Sequence, residues 1–113
     1  MADYQAHLRF LSVSAQKVRL VVDLIRGMDA NEALEMLRFV PNRAAEPVRK
    51  LLVSAVANAE ENFGVSRDEL FVATVFANEA PTRKWRRFGA RGRFKPILRR
   101  SSHITIVLRE REA

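Results

Sequence analysis

The sequence predicts a single α+β domain that holds out a long basic arm. Two features of pattern and one of charge carry this reading. Three segments have the alternation or composition of strands, and three amphipathic helical patterns separate the first strand from the second. Between the last two strands lies Thr82–Arg100 (TRKWRRFGARGRFKPILRR), which holds nine basic side chains and no acidic one. The whole chain of 113 residues has 20 Lys+Arg and 13 Asp+Glu; outside the block 11 basic residues face 13 acidic ones, so the entire +7 excess lies within it. Such a run repels itself and has little to bury, so it calls for a polyanionic partner or else forms a solvated loop.

Taken in order, Tyr4–Leu11 alternates, with Ala6, Leu8 and Phe10 on one face and Gln5, His7 and Arg9 on the other, the pattern of a half-buried strand. Ser12 or Ser14 caps the next helix. Over Ala15–Arg26, Val18, Val21, Val22 and Ile25 recur at i, i+3, i+4 and i+7, with Leu24 widening the stripe. Gly27 is placed to end this helix. Asp29 with Glu32 reads as a capping box for a short helix carrying Ala30, Ala33, Leu34 and Leu37, which Pro41 ends. A longer helix runs from about Asn42 to Asn62 on a stripe of Val48, Leu51, Leu52, Ala55, Val56 and Ala59. Pro47 is awkward in it: either the first turn is irregular or the regular helix starts nearer Ala44. Gly64 ends it.

Leu70–Asn78 (LFVATVFAN) is rich in β-formers and apolar on both faces, which predicts a strand covered on both sides. His103–Arg109 alternates, with Ile104, Ile106 and Leu108 facing one way. These two late strands most simply pair antiparallel, which makes the basic block their hairpin extension, about residues 80–102. About nine residues per arm would reach roughly 30 Å, and Gly89 and Gly92 allow a tight tip.

The length implies one domain, residues 1–113, of the size that builds a modest core. A sequence pI near 11.0 points to nucleic acid first and an anionic membrane second. Membrane binding ranks low because the basic block has no helical apolar face. The absence of cysteine excludes disulfides and thiolate chemistry. No apolar run reaches membrane-spanning length and the N-terminal residues lack a secretory pattern, so a cytosolic or nucleoid setting is expected.

The block interleaves Trp85, Phe88 and Phe94 with its cations, and arginine outnumbers lysine seven to two. Guanidinium groups meet phosphates bidentately, and aromatic faces stack on unpaired bases. Arg83, Lys84, Arg86, Arg87, Arg93, Lys95, Arg99 and Arg100 are therefore candidate RNA contacts. Lys17, Arg19 and Arg26 flank the apolar stripe of the first helix, where an exposed face is the plainer reading. His7 and His103 have no carboxylate cluster beside them, so structural or RNA-contacting roles are expected. GARGR lacks the spacing of a phosphate-binding loop, and no nucleophile motif is present. Neither an enzyme, nor a metal, nor a cofactor is expected.

Ser14-Ala15-Gln16-Lys17-Val18-Arg19-Leu20-Val21-Val22-Asp23-Leu24-Ile25-Arg26-Gly27 closely resembles the opening helix of the bacterial family of ribosomal protein twenty-two of the large subunit. Ser54–Glu60 resembles its long helix. Ala80-Pro81-Thr82 and Arg100–Ile106 resemble the two flanks of its extended hairpin, and Gly92-Arg93 falls where the family carries Gly-Arg. The resemblance spans essentially the whole chain. It implies a three-stranded antiparallel sheet packed with three helices and a long protruding hairpin. It also implies binding to large-subunit ribosomal RNA, a role in assembly, and neighbouring ribosomal proteins as partners. Lys17, Arg19 and Arg26 would then touch RNA from the body, and Lys84, Arg87, Arg93, Arg99 and Arg100 along the hairpin, with His103 at its flank. Phe88, Gly89, Ala90, Arg91 and Gly92 would form the tip that helps line the exit tunnel and meets the nascent peptide. Ala15-Gln16 stands where the family often has Pro-Arg, Phe88-Gly89 replaces its usual Pro-Arg, and Phe94 replaces a small residue. The alternative without the resemblance is a free-standing nucleoid protein using the hairpin as a basic arm.

Overall fold

A computed structural model of the chain describes residues 3–81, 83–88 and 94–111, with the backbone alone at 83–88 and 94–99. The order is β1 (Tyr4–Leu11), α1 (Ala15–Ile25), α2 (Ala30–Phe39), α3 (Ala45–Phe63), a single 3-10 turn (Arg67–Glu69), β2 (Leu70–Glu79), β3 (Arg83–Phe88), β4 (Phe94–Arg99) and β5 (Ser102–Glu110). Strands β1, β5 and β2 form one antiparallel sheet in that order, and β3 pairs with β4 in a second. The predicted architecture of three helices on a three-stranded antiparallel sheet is thus the observed one.

Each helix buries the stripe its periodicity marks. In α1 these residues are Ala15, Val18, Val21, Val22 and Ile25, and in α3 they are Ala45, Val48, Leu51, Leu52, Ala55, Val56 and Ala59. Leu24 does not widen the α1 stripe; it is exposed, as is Leu20. Helix α1 ends where Gly27 takes φ +84, a left-handed conformation that glycine enters without steric cost. Regular α3 begins after Ala44, which resolves the difficulty of Pro47. At the third helical position its missing N–H is one that has no intrahelical partner in any case. Asn42 serves the turn just before, its Oδ1 accepting from the Ala44 N–H at 2.9 Å.

The capping box expected at α2 is not formed. Asp29 occupies the N-cap position without a side-chain cap bond. Its carboxylate instead pairs with Arg111, which also donates to the Gly27 carbonyl and lies 4.7 Å from the centre of the Phe71 ring. A guanidinium brought in from the far end of the chain is a stronger partner for the carboxylate than a neutral backbone N–H.

The central strand β5 buries Ile104, Ile106 and Leu108 completely, and β2 contributes Leu70, Val72, Val75 and Ala77 to the same core. A bulge at Ala73 keeps both halves of β2 in register with that core. The expectation that β2 is covered on both sides is corrected. The helices cover only the inner face of the sheet, and Phe76 on the other face is 40% exposed. An antiparallel sheet tolerates this, because one face can remain solvated.

Strand β1 carries the sharpest departure. The register slips between Leu8 and Leu11, and Phe10 there has φ +57. The bulge turns Phe10 outward, 58% exposed, and gives its inner place to Leu11, which packs on the core. Alternation alone cannot anticipate this, since one inserted residue reverses every face after it.

At the opposite end of β1, the buried Tyr4 ring packs 4.9 Å from Phe63, and its hydroxyl donates to Glu110 Oε1 at 2.9 Å. Burial first, and then the hydrogen bond and charge of Glu110, raise the phenol above its ordinary value of 10.0. Because the folded state holds this proton more tightly, the contribution to stability is complete below the ordinary phenol pKa. It is lost as pH rises through the folded value. Tyr4 is the only tyrosine, so phenolate absorbance reports it alone. Titration of the folded protein is expected to lag that of the unfolded chain, and coincident curves would refute the assignment.

Candidate nucleic-acid interface

The hairpin leaves the body at the end where β2 stops and β5 begins, joined by the Ala80 N–H donating to the Ser101 carbonyl at 3.0 Å. Beyond that point β3 and β4 make their own ladder, six residues each, or roughly 20 Å of paired strand. The predicted nine residues per arm also take in Thr82 and residues 89–93, which lie outside the described residues. The molecule is correspondingly elongated, 67 × 26 × 18 Å.

Register places Arg83 opposite Arg99 and Arg87 opposite Lys95, with Trp85 opposite Ile97 and Phe88 opposite Phe94. Like charges directly across a ladder repel, and neither strand contains an acidic residue to offset them. A polyanion along the ladder removes that repulsion. Of the predicted contacts, Arg83, Lys84, Arg86, Arg87 and Phe88 lie in β3, Lys95 and Arg99 in β4, and Arg100 is exposed just after β4. Arg93 and the tip residues Gly89, Ala90, Arg91 and Gly92 lie outside the described residues.

Helix α1 is anchored along β2, an edge strand of the main sheet. Arg26 Nη2 donates to the Val75 carbonyl at 2.8 Å and Arg19 Nε to the Ala77 carbonyl at 3.0 Å. Further back, the Gly27 N–H donates to the Val72 carbonyl, and the Val72 N–H donates to the Met28 carbonyl. These bonds satisfy an edge that would otherwise offer itself to another strand. Arg26 also pairs with Asp23 at 2.7 Å. Arg19 and Arg26, expected to touch RNA, therefore have a structural duty as well. The bonds also fix direction: toward its N-terminus, α1 approaches the hairpin, so Lys17 lies exposed at the hairpin end.

His103, at the start of β5, is half-buried, and its Nδ1 accepts from the Phe10 N–H at 3.1 Å. His7 bonds Thr105 Oγ1 through Nδ1 at 3.0 Å. Both histidines thus have structural partners, within the roles expected. Arg9 was missed. It lies on the polar face of β1, exposed near the strand end that reaches the hairpin. Its position in the alternation was legible; that this end of β1 meets the hairpin was not.

Charge is segregated along the molecule. No acidic residue occurs between Asp3 and Asp23 or between Glu79 and Glu110. Those two acid-free stretches supply Arg9, Lys17, Arg19, Arg100 and the hairpin arms. Glu79, exposed at the root, is the exception at that end. A groove of about 310 Å³ between α2 and α3 also gathers Arg38, Arg49 and Arg67. There, however, each guanidinium is paired with a glutamate: Arg38 with Glu35, Arg49 with Glu46 and Arg67 with Glu60. The Arg49 bond holds the Glu46 carboxyl below its ordinary pKa. Among the described residues, Arg9, Lys17 and Arg100 at the hairpin end are exposed and form no ion pair.

Fold and site together define a class: a small basic α+β protein whose body carries a two-stranded basic arm. Comparison with known proteins makes the class specific. The family described as "Ribosomal protein L22p/L17e" matches residues 6–109. The "Large ribosomal subunit protein uL22" of Pediococcus pentosaceus is 48% identical over 108 residues, 96% of this chain and 92% of that protein. Its counterpart in Caldicellulosiruptor saccharolyticus is 50% identical over 107 residues, covering 95% and 88%. That of Thermoanaerobacter pseudethanolicus is 50% identical over 108 residues, covering 96% and 97%. The chain belongs to the ribosomal protein L22p/L17e family, a family of structural components of the ribosome and not of enzymes.

Proposed function

We propose that the chain is a structural protein of the large ribosomal subunit, working in the cytoplasm, and that it binds large-subunit ribosomal RNA through its hairpin end. The names of its relatives support the subunit. The observation that carries RNA binding is the segregation of charge: nine cations without an anion in Thr82–Arg100, on an arm rooted where Arg9, Lys17 and Arg100 are exposed. Its arms lie along phosphates, and shape and backbone contacts dominate over base reading. Its tip, Phe88–Gly92, helps line the nascent-peptide exit tunnel, the body touches neighbouring ribosomal proteins, and the whole supports subunit assembly.

Two measurements test this reading. In a low-salt lysate the chain is expected to sediment with large ribosomal particles, whereas a free-standing nucleoid protein remains off them. Its affinity for deproteinised large-subunit RNA is expected to fall linearly on a log–log salt plot, by about 0.7–0.9 per phosphate neutralised. A flat salt response would remove the basic end as the contact surface.

A further inference from the structure

The left-handed backbone at Phe10 is an outlier that leaves its own ring largely unburied. A bulky side chain at φ +57 carries a steric penalty that glycine escapes. The penalty is ordinarily offset by burying the ring, yet this ring is 58% exposed. Besides seating Leu11 on the core, the bulge presents the Phe10 ring. The His103 imidazole meets the Phe10 ring edge-on, 4.7 Å between centres at 88°, and its Nδ1 accepts the Phe10 backbone N–H at 3.1 Å. Backbone and ring are braced by the same residue. Arg9 precedes the ring, and Arg100 lies two residues before Ser102, which pairs with Leu11.

We infer that Phe10, braced by His103, is a stacking platform for an unpaired base of the RNA held by the hairpin arms. This rests on the reading of the hairpin end as an RNA interface. An exposed aromatic face on a surface that holds Arg9, Lys17 and Arg100 against the single exposed acid Glu79 among the described residues matches a nucleotide, whose base takes the π-face while its phosphates take the guanidinium groups. His103 acts here as a positioning residue.

Phe10→Gly separates this role from folding, because it removes the ring and relieves the backbone together. The full-length variant is expected to melt at or above the wild-type temperature. It should bind deproteinised large-subunit ribosomal RNA about tenfold more weakly. Its salt slope should be unchanged, since stacking releases no counterions. Phe10→Trp in a Trp85→Phe background should retain binding and show quenched indole fluorescence on addition of the RNA. Equal binding by wild type and Phe10→Gly, or an unquenched indole in a bound complex, would overturn the platform while leaving RNA binding intact. Failure of the wild-type chain to bind the RNA would overturn both. Intact RNA binding by Phe10→Gly with impaired entry into ribosomal particles would assign the ring to a neighbouring protein and overturn the platform.

Discussion

Replacing residues 83–99 by a short Gly-Ser turn is expected to leave a body that unfolds cooperatively but binds large-subunit ribosomal RNA on the order of a thousandfold more weakly at 0.1 M salt. The replacement removes eight of the nine cations of the basic block. If half of them meet phosphates, the log–log salt slope should become shallower by about 3, which at this salt concentration corresponds to a loss of about that size. The body survives because its core is built from α1, α2, α3 and the inner face of β1, β5 and β2. The hairpin strands pair with each other in a separate sheet. Anisotropy titrations across a salt series, with thermal unfolding of the same preparations, measure both halves of the claim. Wild-type affinity in the shortened protein would end the electrostatic account, and loss of cooperative melting would mean that the arm stabilises the body.

Ile106→Ala should do the reverse. Ile106 is fully buried in the central strand, opposite Ala6 of β1 and Val75 of β2. Truncation removes apolar burial and leaves a cavity that neighbours on both sides hold open, at a cost of about 2–5 kcal/mol. Against a total stability of about 5–15 kcal/mol for a domain, the expected fall in melting temperature is on the order of 10–20 °C. Below its transition the variant should keep the wild-type salt slope, because no cation has changed. A melting temperature within a degree or two of wild type would show that the site collapses around the smaller side chain.

Much of this molecule was legible in its pattern. Val18, Val21, Val22 and Ile25 recur at helical spacing because one face of α1 must be dry, and they are buried as that spacing requires. Ile104, Ile106 and Leu108 alternate for the equivalent reason in a strand. The two glycines that end α1 and α3 were readable because their positive φ suits that residue best. The basic block was legible because charge is a property of composition and needs no coordinates.

What escaped the sequence was decided by residues far apart in the chain. Arg111 draws the Asp29 carboxylate away from a local cap across 82 positions. Arg19 bonds the β2 edge 58 positions away, and Arg26 does so across 49. Phe10 faces outward because β1 slips against β5, and its N–H finds His103 across 93 positions.

Sequence by itself therefore determined the elements, the apolar face of each helix and the place of the positive charge, since period, propensity and composition are local quantities. Only the tertiary structure decided which end of the body gathers Arg9, Phe10, Lys17, Arg100 and His103, which sheet edge needed closing, and which way the Phe10 ring faces. Those outcomes depend on register and on partners that the chain meets only when it has folded.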